Sequence, residues 1–298
     1  MNDSVGGFEY DYMISNFFDY ESGRSEPVIK SRMKSALDYW ENVIKAPPSV
    51  LNIINSGYVI DFESEPPPIW MNNNKSALKN KTFVDEAVKE LLSLGLIEKT
   101  LVRPRAVNPL SVAENNGKKR LILDLSVLNE FVHYERISLE DQRDWYHMSK
   151  HVKYVSTYDI KSCYHQIDMH PESVTFLGFE WEIDGVSAYY VFLVLPFGLT
   201  SAPMVCKRIF RPLIIRWRSL GISTVIFFDD GVVGAEDFDT CEKHIGIVFS
   251  DLMKCHVLPN AHKSTWLPKQ NTIWLGYEWD YEKGGVDGGI SDSSGEII

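Results

Sequence analysis

Thr224-Val225-Ile226-Phe227-Phe228-Asp229-Asp230-Gly231-Val232-Val233-Gly234 is the stretch that decides how this chain reads. Val225 to Phe228 is a short apolar run of β-branched and aromatic residues, which predicts a strand. Asp229 and Asp230 follow side by side, then Gly231, and Val232-Val233 resumes the apolar run. The pattern predicts strand, acidic turn, strand. Adjacent carboxylates at a hairpin tip repel each other, a cost that a divalent cation offsets. Taken alone, the stretch also reads as a solvated Asp-Asp-Gly turn, because Asp-Gly is a common hairpin signal. What lies upstream decides between the two.

Upstream, Tyr154 to Ile160 reads as a second strand, and it too ends on an acid, Asp159. Lys161 to Tyr164 reads as a turn. Phe176–Ile183 and Ala188–Leu195, on either side of Asp184-Gly185, predict a hairpin that Pro196-Phe197-Gly198-Leu199 breaks. A helix is expected from about Ala202 to Leu220, with Pro212 kinking it. Asp159 and Asp229-Asp230 are thus separated by about 70 residues that hold a helix, a hairpin and the basic residues Lys207, Arg208, Arg211, Arg216 and Arg218. Three carboxylates at the ends of neighbouring strands can hold two Mg²⁺ ions about 3.5–4 Å apart. Such a pair activates a 3′-hydroxyl and stabilises a leaving pyrophosphate. Mg²⁺ suits the residue types because it prefers hard oxygen ligands and shares them with substrate phosphates.

Further toward the N-terminus, Leu110-Ser111-Val112-Ala113, Asn115-Asn116-Gly117 and Lys118 to Leu125 spell strand, Asn-Gly turn, strand, with Lys118, Lys119 and Arg120 just past the turn. The basic trio reads either as a solvated tip or as a phosphate grip. Thr82 is expected to cap a helix from Phe83 to about Leu94, closed by Gly95. Met33, Ala36, Leu37 and Trp40 have helical spacing, ended by Pro47-Pro48. Val50–Ile54 predicts a second short helix that stops at Gly57, and Pro66-Pro67-Pro68 predicts an extended segment. Glu140–Lys150 and Thr240–Leu252 read as helices. Thr272–Trp279 reads as a final strand pair.

The 298 residues suffice for one large or two modest cores, and their composition is that of a globular protein. No apolar run approaches the ~20 residues of a membrane span. Met1 to Gly7 lacks the basic and apolar regions of a signal peptide, so an intracellular chain, cytoplasmic or nuclear, is expected. Cys163, Cys206, Cys241 and Cys255 are scattered, which suggests a reducing compartment and neither a disulfide framework nor a zinc site. The net charge of −11 argues against a nucleic-acid partner at first sight. Residues 1–26 carry −5 of it and residues 280–298 carry −4, leaving −2 for everything between. Residues 1–26 are expected to form a disordered acidic tail and residues 281–298 a second disordered tail.

The ordered motifs then resemble a known family. Lys118-Lys119-Arg120 followed by Asp124, then Tyr158-Asp159-Ile160-Lys161-Ser162-Cys163-Tyr164-His165-Gln166-Ile167, then Leu195-Pro196-Phe197-Gly198-Leu199-Thr200-Ser201-Ala202-Pro203, then Phe227-Phe228-Asp229-Asp230, then Trp274-Leu275-Gly276, resemble the successive blocks of a retroelement reverse transcriptase. Each block is weak alone, and five in order with fitting gaps are specific. The resemblance spans roughly residues 30 to 280. Asn108–Val112, Trp217–Gly221 and Asp229-Asp230-Gly231 look most like DIRS-type retrotransposons, which carry a tyrosine recombinase.

The resemblance implies an α+β right-hand polymerase fold. N-terminal helices and fingers would occupy residues 27–150, and an antiparallel palm sheet packed on helices, with a primer-grip hairpin, residues 151–280. Fingers and palm would interleave within a reverse transcriptase domain at 75–280. Asp159, Asp229 and Asp230 would be the catalytic triad. The Ile160 carbonyl would join them in holding two Mg²⁺, for which Mn²⁺ could substitute. Arg120, with Lys119 beside it, would grip the incoming deoxynucleoside triphosphate. Tyr164 would act as a steric gate against a 2′-hydroxyl, although it also reads as an ordinary core tyrosine. Phe197 and Gly198 would floor the nucleotide pocket. Leu275 and Gly276 would hold the primer terminus, Lys118 would touch the template, and Lys263 is a candidate proton donor to pyrophosphate. The implied partners are dNTPs and an RNA or DNA template with its primer. His165 and His170 read as packing or surface residues.

The chain also departs from the family's pattern. Ala113-Glu114 stands where many relatives carry a fingers lysine, so either Lys118 or Lys119 substitutes from the turn or the grip is weaker. Ser126 stands where many have a basic residue. A thumb is expected to be absent or incomplete, with poor clamping of the primer–template. Thumb, RNase H and recombinase parts would then be supplied in trans. The expected function is RNA-directed DNA synthesis. The alternative is an inactive or domesticated relic that binds nucleic acid or protein through the same fold. An RNA-dependent RNA polymerase conflicts with Tyr164 at the gate, and a nuclease leaves the Arg120 and Leu275-Gly276 blocks without a purpose.

Overall fold

The computed structural model describes residues 28–115 and 117–282. The expected tail at 1–26, all but the first two residues of the expected tail at 281–298, and Asn116 of the Asn-Gly turn lie outside the described residues. The helices are α1 (Leu37–Asn42), α2 (Pro48–Ser56), α3 (Lys75–Lys79), α4 (Lys81–Ser93), α5 (Ser126–Asn129), α6 (Gln142–Met148), α7 (Pro171–Val174), α8 (Ala202–Ser219) and α9 (Phe238–Lys254). The strands are β1 (Ile69–Trp70), β2 (Ile97–Thr100), β3 (Ala106–Val107), β4 (Leu110–Asn115), β5 (Lys118–Leu123), β6 (Tyr154–Asp159), β7 (Gly178–Ile183), β8 (Val186–Phe192), β9 (Ser223–Phe227), β10 (Asp230–Ala235), β11 (Thr265–Lys269), β12 (Asn271–Trp274) and β13 (Tyr277–Asp280).

The centre of the fold is a four-stranded sheet in the order β11-β6-β10-β9, antiparallel throughout. Its strands alternate between two apolar layers, as a period of two requires. Tyr158 of β6 and Val233 of β10 face one layer, where α8 and α9 pack. Val155, Val225 and Val232 face the other, together with Trp145 of α6, Trp274, Trp279 and Tyr281. α8 buries Val205, Cys206, Ile209, Phe210, Leu213, Ile214 and Trp217, a stripe at helical spacing, and continues across Pro212 as one element. α9 starts at Asp237, whose carboxylate accepts the Thr240 N–H at 2.9 Å. The second sheet has the order β1-β3-β7-β8-β2 and is mixed, with β3 parallel to both β1 and β7. β4 and β5 stand apart as a two-stranded hairpin, as the Asn-Gly signal predicts.

Several local expectations are corrected. α4 begins before Thr82, with Asn80 at the N-cap position, so Thr82 lies inside the helix. α1 ends at Asn42, and Pro48 opens α2 where its missing N–H costs nothing. Tyr281, expected in a tail, is 3% exposed and accepts a 3.0 Å hydrogen bond from Trp145 Nε1. β11, unmarked in the sequence reading, forms an edge of the central sheet. No helix among the described residues is long and apolar enough to cross a membrane.

Candidate active site

Asp159 is the last residue of β6 and Asp230 the first of β10, and the two are direct partners across the ladder. Asp230 also pairs with Phe227 of β9, so Phe228 and Asp229 make the tight turn. This moves the turn one residue from the expected Asp229-Asp230. Phe228 accordingly takes a left-handed φ of 55°, a strained state for a bulky residue. The Ile160 N–H donates to the Asp229 carbonyl at 2.8 Å and ties the turn to the end of β6. Asp159 is held from the other side as well. Its N–H donates to Ser264 Oγ at 3.0 Å, and its carbonyl accepts the Asn260 N–H at 2.7 Å. The three aspartates that the sequence singled out therefore converge at one end of the central sheet.

Asp230 titrates at about 6, pushed up first by burial and then by the charges of Asp229 and Asp159. Burial also raises Asp229, with Asp159 adding to the shift. Lys263 Nζ lies 3.6 Å from Asp159 Oδ2 and offsets part of this repulsion. The candidate proton donor thus sits beside the carboxylates. Among the described residues, no three His, Cys, Asp or Glu side chains form a ready metal cage. Mg²⁺ does not require one, since it keeps waters and substrate oxygens around one or two carboxylates. The crowding of three carboxylates, with Asp229 and Asp230 raised by burial and by their neighbours' charges, fits a site that gains from a divalent cation.

Tyr164 follows the left-handed Ser162 in a single 3₁₀ turn beyond β6. Its ring meets Phe197 edge-on at 5.0 Å, and His165 meets the same Phe197 ring at 5.2 Å. Phe197 is 51% exposed, so the ring cluster faces open space. Gly198 has φ +100°, and a Cβ there would come within 2.9 Å of the Leu123 carbonyl oxygen at the base of β5. Both facts demand glycine. Lys118, Lys119 and Arg120 are exposed on β5, and no hydrogen bond or ion pair joins them to the aspartates among the described residues. Leu275 and Gly276 form the β12–β13 turn, with φ of 52° and 81°. Leu275 and Phe227 pack against the same tryptophan cluster on one face of the central sheet. Sequence reasoning missed Asn129, which bonds the Gly198 turn, while His165 packs on Phe197 in keeping with its reading as a packing or surface residue.

Residues 109–279, more than half of the chain, match the family model for reverse transcriptase (RNA-dependent DNA polymerase). The chain is 27% identical over 214 residues to the retrovirus-related Pol polyprotein from transposon opus of Drosophila melanogaster, covering 70% of this chain and 21% of that protein. It is 26% identical over 215 residues to the polyprotein from transposon 297 of the same organism, covering 68% and 19%. It is 24% identical over 234 residues to a putative enzymatic polyprotein of Cassava vein mosaic virus, covering 75% and 33%. The chain therefore spans about a fifth to a third of the length of these relatives. Among solved structures, the prototype foamy virus protease–reverse transcriptase superposes with a TM-score of 0.60 at 17% identity, over 74% of this chain and 29% of that one. A foamy viral protease–reverse transcriptase in complex with double-stranded DNA superposes with a TM-score of 0.59 at 16% identity, over 94% and 50%. The α+β architecture is that of polymerase palm and fingers, and the chain belongs to the reverse transcriptase family.

Proposed function

We propose that this chain is the polymerase core of a retrotransposon reverse transcriptase, extending a primer 3′-hydroxyl with dNTPs on an RNA or DNA template. One observation carries the reading: Asp159 and Asp230 are ladder partners with Asp229 on the adjoining turn. Two Mg²⁺ ions, held by Asp159, Asp229, Asp230 and the Ile160 carbonyl, would supply nucleophile activation and charge stabilisation. The chain's own residues do the positioning. The Ile160–Asp229 bond fixes the separation of the two strand ends. Tyr164 and Phe197 present an aromatic wall against which a deoxyribose fits and a 2′-hydroxyl clashes. Arg120 and Lys119, on a hairpin whose base abuts Gly198, close over the triphosphate. Leu275 and Gly276, at the β12–β13 turn, would hold the primer terminus. Lys118 bears on the template. Lys263, next to Asp159, is positioned to deliver a proton to departing pyrophosphate.

In this reading residues 27–150 supply N-terminal helices and fingers, and residues 151–280 the palm. A finer placement near DIRS-type elements rests on Asn108–Val112, Trp217–Gly221 and Asp229-Asp230-Gly231. The test is primer extension on an oligo(dT)-primed RNA template with Mg²⁺ and dTTP, beside an Asp229→Asn variant. Extension by the wild-type chain that falls at least ~10³-fold in the variant supports the reading. A folded wild-type chain that binds the primed template and never extends it defeats the reading in favour of a binding relic.

A further inference from the structure

Phe197 to Thr200, the turn that floors the nucleotide pocket in the reading above, exposes Phe197 and Gly198 and anchors Leu199 in the core. Its backbone has few ties. The Ala202 N–H bonds the Leu199 carbonyl and starts α8. The other two hydrogen bonds that hold this backbone among the described residues both end on one side chain. Asn129 Nδ2 donates to the Gly198 carbonyl at 2.8 Å, and Asn129 Oδ1 accepts the Thr200 N–H at 2.9 Å. An amide carries one donor and one acceptor side by side, so it can clamp both ends of a three-residue arc.

Asn129 is itself fixed. It is the last residue of α5, its N–H bonds the Leu125 carbonyl at 2.8 Å, and Leu125 and Leu128 are buried. Asp124, just before α5, accepts from Ser126 N–H and Oγ and from Asn74 Nδ2. Asp124 directly continues β5, the strand that carries Arg120. The same scaffold therefore supports the triphosphate grip at one end and, through Asn129, the pocket floor at the other.

We infer that Asn129 is a positioning residue that sets the Phe197–Gly198 floor against the fingers strand and so controls affinity for the incoming dNTP. This inference rests on the polymerase reading. Asn129→Ala removes both bonds. Asn129→Asp keeps the acceptor for Thr200 and places a carboxylate oxygen against the Gly198 carbonyl.

Steady-state extension with dTTP on the primed RNA template, together with hydrogen exchange at the Thr200 amide, tests it. Asn129→Ala is expected to raise the KM for dTTP roughly tenfold, with kcat and primer–template affinity changed less than about threefold. The Thr200 amide should exchange faster in Asn129→Ala and stay protected in Asn129→Asp. An unchanged KM, or a fall in kcat alone, in a folded Asn129→Ala chain overturns the inference and leaves the polymerase reading standing. A wild-type chain that extends no primer removes both.

Discussion

Asp230 has two carboxylates for neighbours and half-buried surroundings, which together raise its pKa from 3.8 to about 6. In the absence of a divalent cation, this makes the site a local source of instability. Between pH 3.8 and about 6 the folded chain holds a proton on Asp230 that the unfolded chain has released. The folded state then binds more protons, so stability falls as pH rises through that window. Above it the full penalty is present. Asp230→Asn removes the charge and keeps the shape. Once solvent screening of a half-exposed group is allowed for, it should stabilise the metal-free chain at pH 7.5 by on the order of 1 kcal/mol. The gain should shrink toward pH 4.5. Thermal melts in EDTA across this range check the sign. A variant that is less stable than wild type at pH 7.5, or equally stabilised at both pH values, refutes the electrostatic account.

At the scale of elements, the aspartate hairpin depends on a close approach that only glycine allows. A Cβ on Gly231 would lie 2.0 Å from the Tyr158 ring of the neighbouring strand, and Tyr158 is 1% exposed with no room to withdraw. Gly231↔Tyr158 pairing is the step next to Asp230↔Asp159 in the same ladder. Gly231→Ala should therefore cost about 2–3 kcal/mol in urea unfolding, the upper end for overpacking, and disturb the aspartate register as well. A loss under about 0.5 kcal/mol would mean that Tyr158 moves freely. This glycine was visible in the sequence only as part of an Asp-Asp-Gly turn signal, and that signal placed the turn one residue late. The sequence encodes which residues prefer a turn, but pairing of β10 with β6 on its other side fixed the register and forced Phe228 into the left-handed region. The same reason explains what else was legible. The β4–β5 and β7–β8 hairpins, α8 and α9 announce themselves through local turn chemistry and periodicity. β11 and the two-residue strands β1 and β3 owe their state to distant partners and carry no pattern of their own. In the site, the three aspartates were legible as strand-terminal acids. Asn129 was not, since its meaning comes from a turn 69 residues away.

At the scale of the whole molecule, the N-terminal segment is fastened to the central layer at a buried charge. Asp251 of α9 is 3% exposed and accepts three hydrogen bonds: Arg216 Nε at 2.9 Å and Trp217 Nε1 at 2.9 Å, both from α8, and Tyr39 OH at 2.6 Å from α1. Nearby, Trp40 Nε1 donates to the Cys255 carbonyl at 3.1 Å, and Arg32 Nε to the His256 carbonyl at 3.4 Å. The helices that support the aspartate sheet and the helices that precede the fingers thus meet at one carboxylate. Removing it leaves the buried Trp217 N–H without its acceptor and the part-buried Arg216 guanidinium without its partner, and breaking such a network from one side costs up to about 3–5 kcal/mol. Asp251→Ala should lose that much in urea unfolding. Tyr39→Phe, which removes a single bond to a charged acceptor, should lose about 1.5–3 kcal/mol. The two losses should not add in the double variant, because both report on one network. On the proposed polymerase reading, the KM for dTTP of the folded variants should be unchanged, since the network touches neither the aspartates nor the Phe197–Thr200 turn. An Asp251→Ala chain within 1 kcal/mol of wild type would mean that water reaches this charge and that the apolar contacts alone hold the N-terminal helices in place.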